Sequence, residues 1–459
     1  MTPVETLRGK RVAVFGLGGS GLSTLAALLE GGAKAAAWDD SEKARERAAA
    51  EGFSLVDLGR ADWSVFKALV LSPGVPLTHP DPHWTVKRAE AAGVPVVGDI
   101  ELFSRERAAR APRSPFVAIT GTNGKSTTTA LIAHVLREAG RDVALGGNIG
   151  VPVLDLPPPA DGRVHVIECS SYQIDLAPSL APTVGLLINI TPDHLDRHGD
   201  LARYAAIKER LVAKADTAIV GVDDDPTSTI AERLRARGRR VLTASGGESA
   251  VADVFVAGHR VCERDSAEPP LDLRSARALR GAHNGQNAAF AFAAARALGV
   301  GRGDIARALA TFPGLAHRME EVGRRGHVVF VNDSKATNAD ASEKALKSFR
   351  DIHWILGGKA KAGGIEPLSP LFSRVAKAYL IGAAAQDFAE TLRGAVPFEQ
   401  CVTLSHALES AARDAFRSNA EEAVVLLSPA CASFDQFANF EARGDAFRAA
   451  VHSLLNGEP

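Results

Sequence analysis

Ala118-Ile-Thr-Gly-Thr-Asn-Gly-Lys-Ser126 decides how the rest of the chain is read. The β-branched, apolar run Phe116 to Thr120 breaks into a glycine-bracketed turn, and Lys125-Ser126 open a helical pattern. A strand, a glycine turn and a helix in that order make a phosphate cradle. Gly121 and Gly124 let the backbone N–H groups of the turn converge on phosphate oxygens, and the helix points its positive end at them. Lys125 is placed to reach the outer phosphates and the Ser126 hydroxyl to sit on Mg²⁺, which makes Gly121, Thr122, Asn123, Gly124, Lys125, Ser126 and Thr127 the candidate nucleotide loop. The loop is shorter than Gly-x-x-x-x-Gly-Lys-Ser, because Ile119 stands where the first glycine belongs. An ordinary glycine-rich strand-to-helix turn is the structural alternative.

On the amino side of this loop, short apolar runs alternate with Ala-rich helical stretches. Arg11 to Phe15, Ala35 to Trp38, Ala68 to Leu71 and Val94 to Val97 read as strands, with helices from Gly21 to Glu30 and near Glu42 to Glu51. Alternation of this kind predicts a parallel sheet. Arg105 to Pro115 reads as a linker. On the carboxyl side, Val164 to Ile167, Val184 to Asn189 and Ala218 to Val222 continue the pattern to about Thr311. Phe312-Pro-Gly marks a break, followed by Val328 to Val331, Ile352 to Leu356, Ala378 to Ile381 and Val424 to Leu427. With 459 residues the chain exceeds one core and implies roughly three domains of about 150 residues each, drawn at 1–104, 105–312 and 313–459.

Lys plus Arg, 53, nearly cancels Asp plus Glu, 54, so neither nucleic acid nor an anionic membrane is favoured as a partner. The first apolar segment, Val12 to Leu17, is short, and no later run approaches the roughly 18 residues of a membrane span. The expectation is a cytoplasmic protein. Cys169, Cys262, Cys401 and Cys431 lack the paired spacing of a zinc site or disulfide framework.

Gly16-Leu-Gly-Gly-Ser-Gly21 follows the first strand and opens a helix, with Asp39 ending the second strand. That is the placement of a dinucleotide fingerprint. Tyr204-Ala-Ala-Ile-Lys208 adds the Tyr-x-x-x-Lys spacing of a nicotinamide oxidoreductase, although a Tyr and a Lys at i, i+4 commonly just share a helix face. In the middle third, Glu168 closes one strand and Asn189, Asp193, His194 and Asp196 follow another, at the rim where open α/β sheets bind ligands. A carboxylate there suits Mg²⁺, and His194 suits metal ligation or proton transfer. Asp193 and Asp196 read better as helix-start residues.

Six motifs, Gly121-Thr-Asn-Gly-Lys-Ser126, Gly146-Gly-Asn-Ile-Gly150, Glu168-Cys-Ser-Ser-Tyr-Gln173, His317-Arg-Met-Glu320, Asn332-Asp-Ser-Lys-Ala-Thr-Asn338 and Ser428-Pro-Ala-Cys-Ala-Ser-Phe-Asp-Gln-Phe437, resemble those of the Mur ligases of bacterial cell-wall synthesis. The resemblance covers essentially the whole chain, and the last two motifs look like the branch that adds D-glutamate to UDP-N-acetylmuramoyl-L-alanine. It implies an α/β protein of three domains: an N-terminal Rossmann-like domain for the UDP substrate, a central P-loop ATPase domain with a mainly parallel sheet, and a C-terminal Rossmann-like domain for the amino acid. Gly19, Ser20, Asp39, Ser72, Gly74 and Asn148 would then contact the UDP substrate. Ser126, Glu168, His194 and a carbamylated Lys208 would hold two Mg²⁺ ions, although by composition alone Lys208 is a surface helix lysine. Asn284, Asn287, Arg318 and Asp333 would contact ATP; on its own, His283-Asn-Gly-Gln-Asn287 reads equally well as a helix cap followed by an exposed turn. Lys335, Thr337, Lys361, Ser433, Phe434 and Phe440 would form the D-glutamate pocket, with Lys359 competing for the role of Lys361. The resemblance further implies a monomer acting on small molecules. An L-glutamate-adding relative would look much the same, and a nucleotide-driven switch would need an Asn-Lys-x-Asp segment that is absent.

Overall fold

The computed structural model describes residues 1–279, 281–360 and 363–457. Among them the strands form three sheets. The first contains β1 (Arg11–Phe15), β2 (Lys34–Trp38), β3 (Leu69–Leu71) and β4 (Val96–Val97) in the order β2-β1-β3-β4, all parallel. Helix Gly19–Glu30 begins two residues before the expected Gly21. Gly16 follows β1 with φ +94°, and a Cβ there would lie 2.6 Å from that of Ser72, so the turn and the loop after β3 pack as closely as backbone permits.

The second sheet comprises β5 (Phe116–Thr120), β6 (Asp142–Gly147), β7 (Arg163–Glu168), β8 (Val184–Leu187), β9 (Thr217–Gly221), β10 (Val241–Ala244), β11 (Val254–Ala257), β12 (Arg260–Glu263) and β13 (Leu271–Asp272). Its order is β13-β12-β11-β10-β9-β8-β5-β7-β6, parallel except for the antiparallel edge β11-β12-β13. β5 lies between β8 and β7 and is buried at every position, as its unbroken apolar run requires. One apolar core serves both sheets, from Val12 and Leu25 to Phe103, Phe116 and Leu187.

The expected linker Arg105 to Pro115 is mostly helix: Asp99–Arg110 is helical, and only residues 111–115 connect. Its charges, which read as linker composition, are paired. Glu101 bonds Arg105 one turn on at 2.8 Å and accepts from the Ser179 amide and hydroxyl at 2.9 and 2.7 Å.

The third sheet contains β14 (Glu320–Arg325), β15 (Val328–Asn332), β16 (Ile352–Gly357), β17 (Val375–Ile381), β18 (Phe398–Val402) and β19 (Ala423–Leu427), ordered β14-β15-β19-β16-β17-β18. β14 alone runs antiparallel to its neighbour. By contact the chain divides into Met1–Ser275 with Asn284–Ala310, and Ala276–His283 with Thr311–Pro459. Among the described residues no helix is long and apolar enough to cross a membrane.

Candidate active site

The loop after β5 is knitted to the loop after β8. The Thr122 amide donates to the Asn189 carbonyl at 2.9 Å, the Asn123 amide to Asn189 Oδ1 at 2.8 Å, and the Thr191 amide to Thr122 Oγ1 at 3.0 Å. Gly124 adopts φ +82° as the cap of helix Lys125–Glu138, where a Cβ would sit 2.5 Å from Asn287 Oδ1. That oxygen also accepts from Thr128 Oγ1 at 3.0 Å, and Asn287 Nδ2 donates to Asn284 Oδ1 at 2.9 Å. Asn284 and Asn287 therefore lie buried on helix Ala282–Ala297, behind the cradle, and do not form an exposed turn. Lys125 Nζ folds back onto the carbonyls of Gly121 and Thr122 at 3.0 and 2.8 Å.

Lys208 corrects its reading as a surface lysine. It is 1% exposed, on helix Leu201–Ala213, and its Nζ donates to the Gly121 carbonyl at 2.8 Å and Thr120 Oγ1 at 3.2 Å. Burial, reinforced by the charge of Lys125, lowers its pKa to about 7. Its Nζ lies 4.7 Å from the Tyr204 ring centroid. Burial pushes the Tyr204 phenol up to about 12, the opposite direction from what a proton-transferring Tyr-Lys pair needs.

Glu168, at the carboxyl end of β7, is 2% exposed. Its Oε1 accepts from Asn148 Nδ2 at 2.8 Å, its carbonyl accepts from the Asn148 amide at 2.9 Å, and its Oε2 is buried without a partner. A buried carboxylate oxygen is costly unless something meets it, and a hard cation does so. His194, not Asp193, caps the one-turn helix Leu195–His198, in the left-handed conformation with φ +53°. Its ring lies 5.1 Å from that of Tyr172, its Nε2 3.4 Å from Asp193 Oδ2, and Asp196 falls in the first turn of the helix. Among the described residues no three His, Cys, Asp or Glu side chains cluster for a metal. The Ser126, Glu168, His194 and Lys208 set thus offers one carboxylate, one imidazole and a hydroxyl, and gains a second anion only if Lys208 is modified.

Around the first glycine turn, several expected contacts are already engaged. Asp39 accepts from the Leu17 and Ser41 amides at 2.7 and 2.8 Å, and Ser20 Oγ donates to Asp99 at 2.8 Å. Ser72 Oγ donates to the Gly16 carbonyl at 2.7 Å, and the Gly74 carbonyl accepts from Arg197 Nη1 at 2.9 Å. Gly19 has open space where a Cβ would project.

In the second unit the loops after β15, β16 and β19 emerge from neighbouring strands. Asp333 accepts from Ser428 Oγ at 2.8 Å and the Met319 amide at 3.1 Å; burial pushes its carboxyl up to about 7, the Arg318 charge opposing. Lys335 Nζ lies 4.9 Å from the Phe440 ring centroid, and the Thr337 amide donates to the Lys335 carbonyl at 2.9 Å. Ser433 is buried, whereas Phe434 is 71% exposed. Lys361 lies outside the described residues; Lys359 pairs through its backbone with Ala432. Sequence reasoning missed Arg443, which is buried and donates to Ser334 Oγ at 3.0 Å and to the Ser334 and Cys431 carbonyls at 2.9 and 3.0 Å. It joins two of the loops just described. Its position one turn into a charged helical stretch resembles any surface arginine, and nothing nearby in the chain signals burial.

Three family models match in succession: Mur ligase MurD-like, N-terminal domain, over residues 10–98; Mur ligase middle domain, over 119–295; and Mur ligase, glutamate ligase domain, over 317–431. The chain is 59% identical over 464 residues to UDP-N-acetylmuramoylalanine--D-glutamate ligase of Nitrobacter hamburgensis, covering 100% of both. It is 57% identical to the protein of that name from Rhizobium etli, covering 99% of this chain and 97% of the relative. Among solved structures it is similar to UDP-N-acetylmuramate-alanine ligase MurC from Thermotoga maritima, with TM-score 0.59 and 17% identity over 97% of this chain and 99% of that one. MurF from Acinetobacter baumannii gives TM-score 0.57 and 19% identity over 76% and 78%. These two likenesses speak for the fold. With the identities and the three successive domain matches, the phosphate loop and rim residues complete the assignment: the chain belongs to the Mur ligase family.

Proposed function

We propose that the protein adds D-glutamate to the L-alanine carboxylate of UDP-N-acetylmuramoyl-L-alanine, consuming ATP, in the cytoplasmic assembly of peptidoglycan precursors. The observation that carries this reading is the full-length identity of 59% to a relative of that name. The cradle at Gly121–Ser126 supplies the chemistry that such a ligation needs.

Joining a carboxylate to an amine in water is uphill, so the acid must first be activated. The alanine carboxylate oxygen attacks the γ-phosphorus of ATP, the bond to the β–γ bridging oxygen breaks, and ADP leaves. The amide groups that open helix Lys125–Glu138 hold the phosphates, those of Thr122 and Asn123 being engaged by Asn189, and Lys125 leaves the carbonyls of Gly121 and Thr122 to meet their charge. The amine of D-glutamate then attacks the acyl carbon, and the tetrahedral adduct expels phosphate and loses a proton. Ser126, Glu168, His194 and a carbamylated Lys208 would hold Mg²⁺, which would supply charge neutralisation to the phosphoryl and carboxylate oxygens.

Lys208 supports that role through a carbamate. Near pH 7 a substantial share of its amine is neutral, and the Nζ lone pair attacks CO₂. The N–C bond forms, one C=O π pair moves onto its oxygen to leave a carboxylate, and the nitrogen releases a proton. An ammonium that repels metals thereby becomes an anion beside them.

Residues 1–104, with Gly19, Ser20, Asp39, Ser72 and Gly74, receive the UDP substrate, and Asn148 its sugar arm. Residues 105–312 spend ATP, with Asn284 and Asn287 behind the cradle. Residues 313–459 supply Arg318 and Asp333 for the nucleotide, and Lys335, Thr337, Lys361, Ser433, Phe434 and Phe440 for the amino acid. The test is ADP release from purified enzyme with UDP-muramoyl acceptors and both enantiomers of glutamate. Turnover requires acceptor and D-glutamate together; equal turnover with L-glutamate, or ADP release without acceptor, would overturn the assignment.

A further inference from the structure

The turn at residues 72–75 is held from two sides. On one, the Ser72 amide donates to the Phe15 carbonyl at 2.9 Å and Ser72 Oγ to that of Gly16 at 2.7 Å. On the other, Arg197 Nη1 donates to the Gly74 carbonyl at 2.9 Å. Arg197 belongs to helix Leu195–His198, which His194 caps. A single helical turn has almost no stability of its own, and a left-handed histidine adds strain. Packing must therefore fix where His194 stands.

That packing centres on one ring. The Arg197 guanidinium lies 4.9 Å from the Tyr172 ring centroid, the His194 ring 5.1 Å, and the His198 ring stacks on it at 5.2 Å. His198 Nε2 is anchored to Ser171 Oγ at 2.9 Å. Of these side chains, Arg197 is the one bonded to the loop after β3, so it bridges the first sheet to the helix carrying His194. Its Nε is buried with no acceptor, leaving the guanidinium incompletely satisfied where it stands.

We propose that Arg197 is a positioning residue that links binding of the UDP acceptor at the 72–75 turn to the placement of His194, so that the UDP acceptor and the divalent cation tighten each other's binding. The inference rests on the proposed function, which assigns an acceptor to that turn and a metal to His194. Such coupling is reciprocal and is read from either ligand.

The experiment measures the dissociation constant of UDP-N-acetylmuramoyl-L-alanine by calorimetry on the full-length enzyme, without nucleotide, with and without Mg²⁺. Free Mn²⁺, followed by electron paramagnetic resonance with and without acceptor, reads the reverse direction. In the wild type each ligand tightens the other about fivefold or more. Arg197→Ala brings both ratios close to one with an unchanged melting temperature, and Arg197→Lys, which keeps a positive donor on the same helix, recovers part of the ratio. Ratios equal in wild type and both variants, or absent from the wild type, would overturn the coupling alone. A wild type that fails to bind the acceptor would overturn the proposed function as well.

Discussion

Lys125 and Lys208, from different helices, donate to the same carbonyl oxygen, that of Gly121, at 3.0 and 2.8 Å. Two ammonium groups on one acceptor repel, and this repulsion adds to burial in lowering the Lys208 pKa to about 7. Removing the neighbour must raise it. In Lys125→Ala, ¹³C NMR under labelled CO₂ should show the carbamate of Lys208 forming at higher pH than in the wild type. The same variant should lose phosphoryl transfer while still binding the UDP acceptor.

Lys208 titrates below its unfolded value, near 10.5. Its burial therefore costs stability in full below about pH 7, and the cost fades as pH rises toward 10.5. Lys208→Met should raise the melting temperature of the unliganded protein most at pH 6 and least at pH 9. Activity should fall by at least about 100-fold in that variant. In Lys208→Ala it should recover in part with formate or acetate, and full activity without them would remove the carbamate.

Asp333 titrates above its unfolded value, near pH 7. The buried charge is fully present above pH 7 and is relieved by protonation as pH falls toward 4. Asp333→Asn should therefore melt above the wild type at pH 8, with the difference closing by pH 4, in scans of the nucleotide-free protein. A constant difference across that range would show that the carboxyl keeps one protonation state.

Gly124→Ala and Gly52→Ala separate backbone strain from steric conflict. Both glycines have φ above +80°, but a Cβ at Gly52 meets nothing within 4 Å, whereas at Gly124 it meets Asn287 Oδ1. The left-handed penalty is about 1–2 kcal/mol at each. Calorimetry should show ATP binding unchanged in Gly52→Ala and weakened by at least about tenfold in Gly124→Ala.

Strands buried on both faces were legible because nothing interrupts their apolar runs: Arg11–Phe15 and Phe116–Thr120 fall where expected. The edge strands were not. Glu320–Arg325 is charged at most positions because β15 covers one side only, and Phe398–Val402 ends the same sheet at the other edge. The residues of the cradle declared themselves through local spacing. Lys208 and Arg443 did not, since each lies in a helical stretch of mixed charge and its burial depends on elements distant in the chain. Asp39 was legible as an acid at a strand end, but its engagement by the Leu17 and Ser41 amides is a product of the fold.

β5 pairs with β7 through Ile119 and Glu168 and with β8 through Thr120 and Leu187, so the cradle and its carboxylate leave the sheet side by side. Because side chains alternate along a strand, a slip of one residue between β5 and β7 would send Glu168 to the opposite face. The packing that buries β7 from Val164 to Glu168 thus also keeps its acid in register with the cradle, and selection for packing would preserve the alignment even in a chain that had lost its activity.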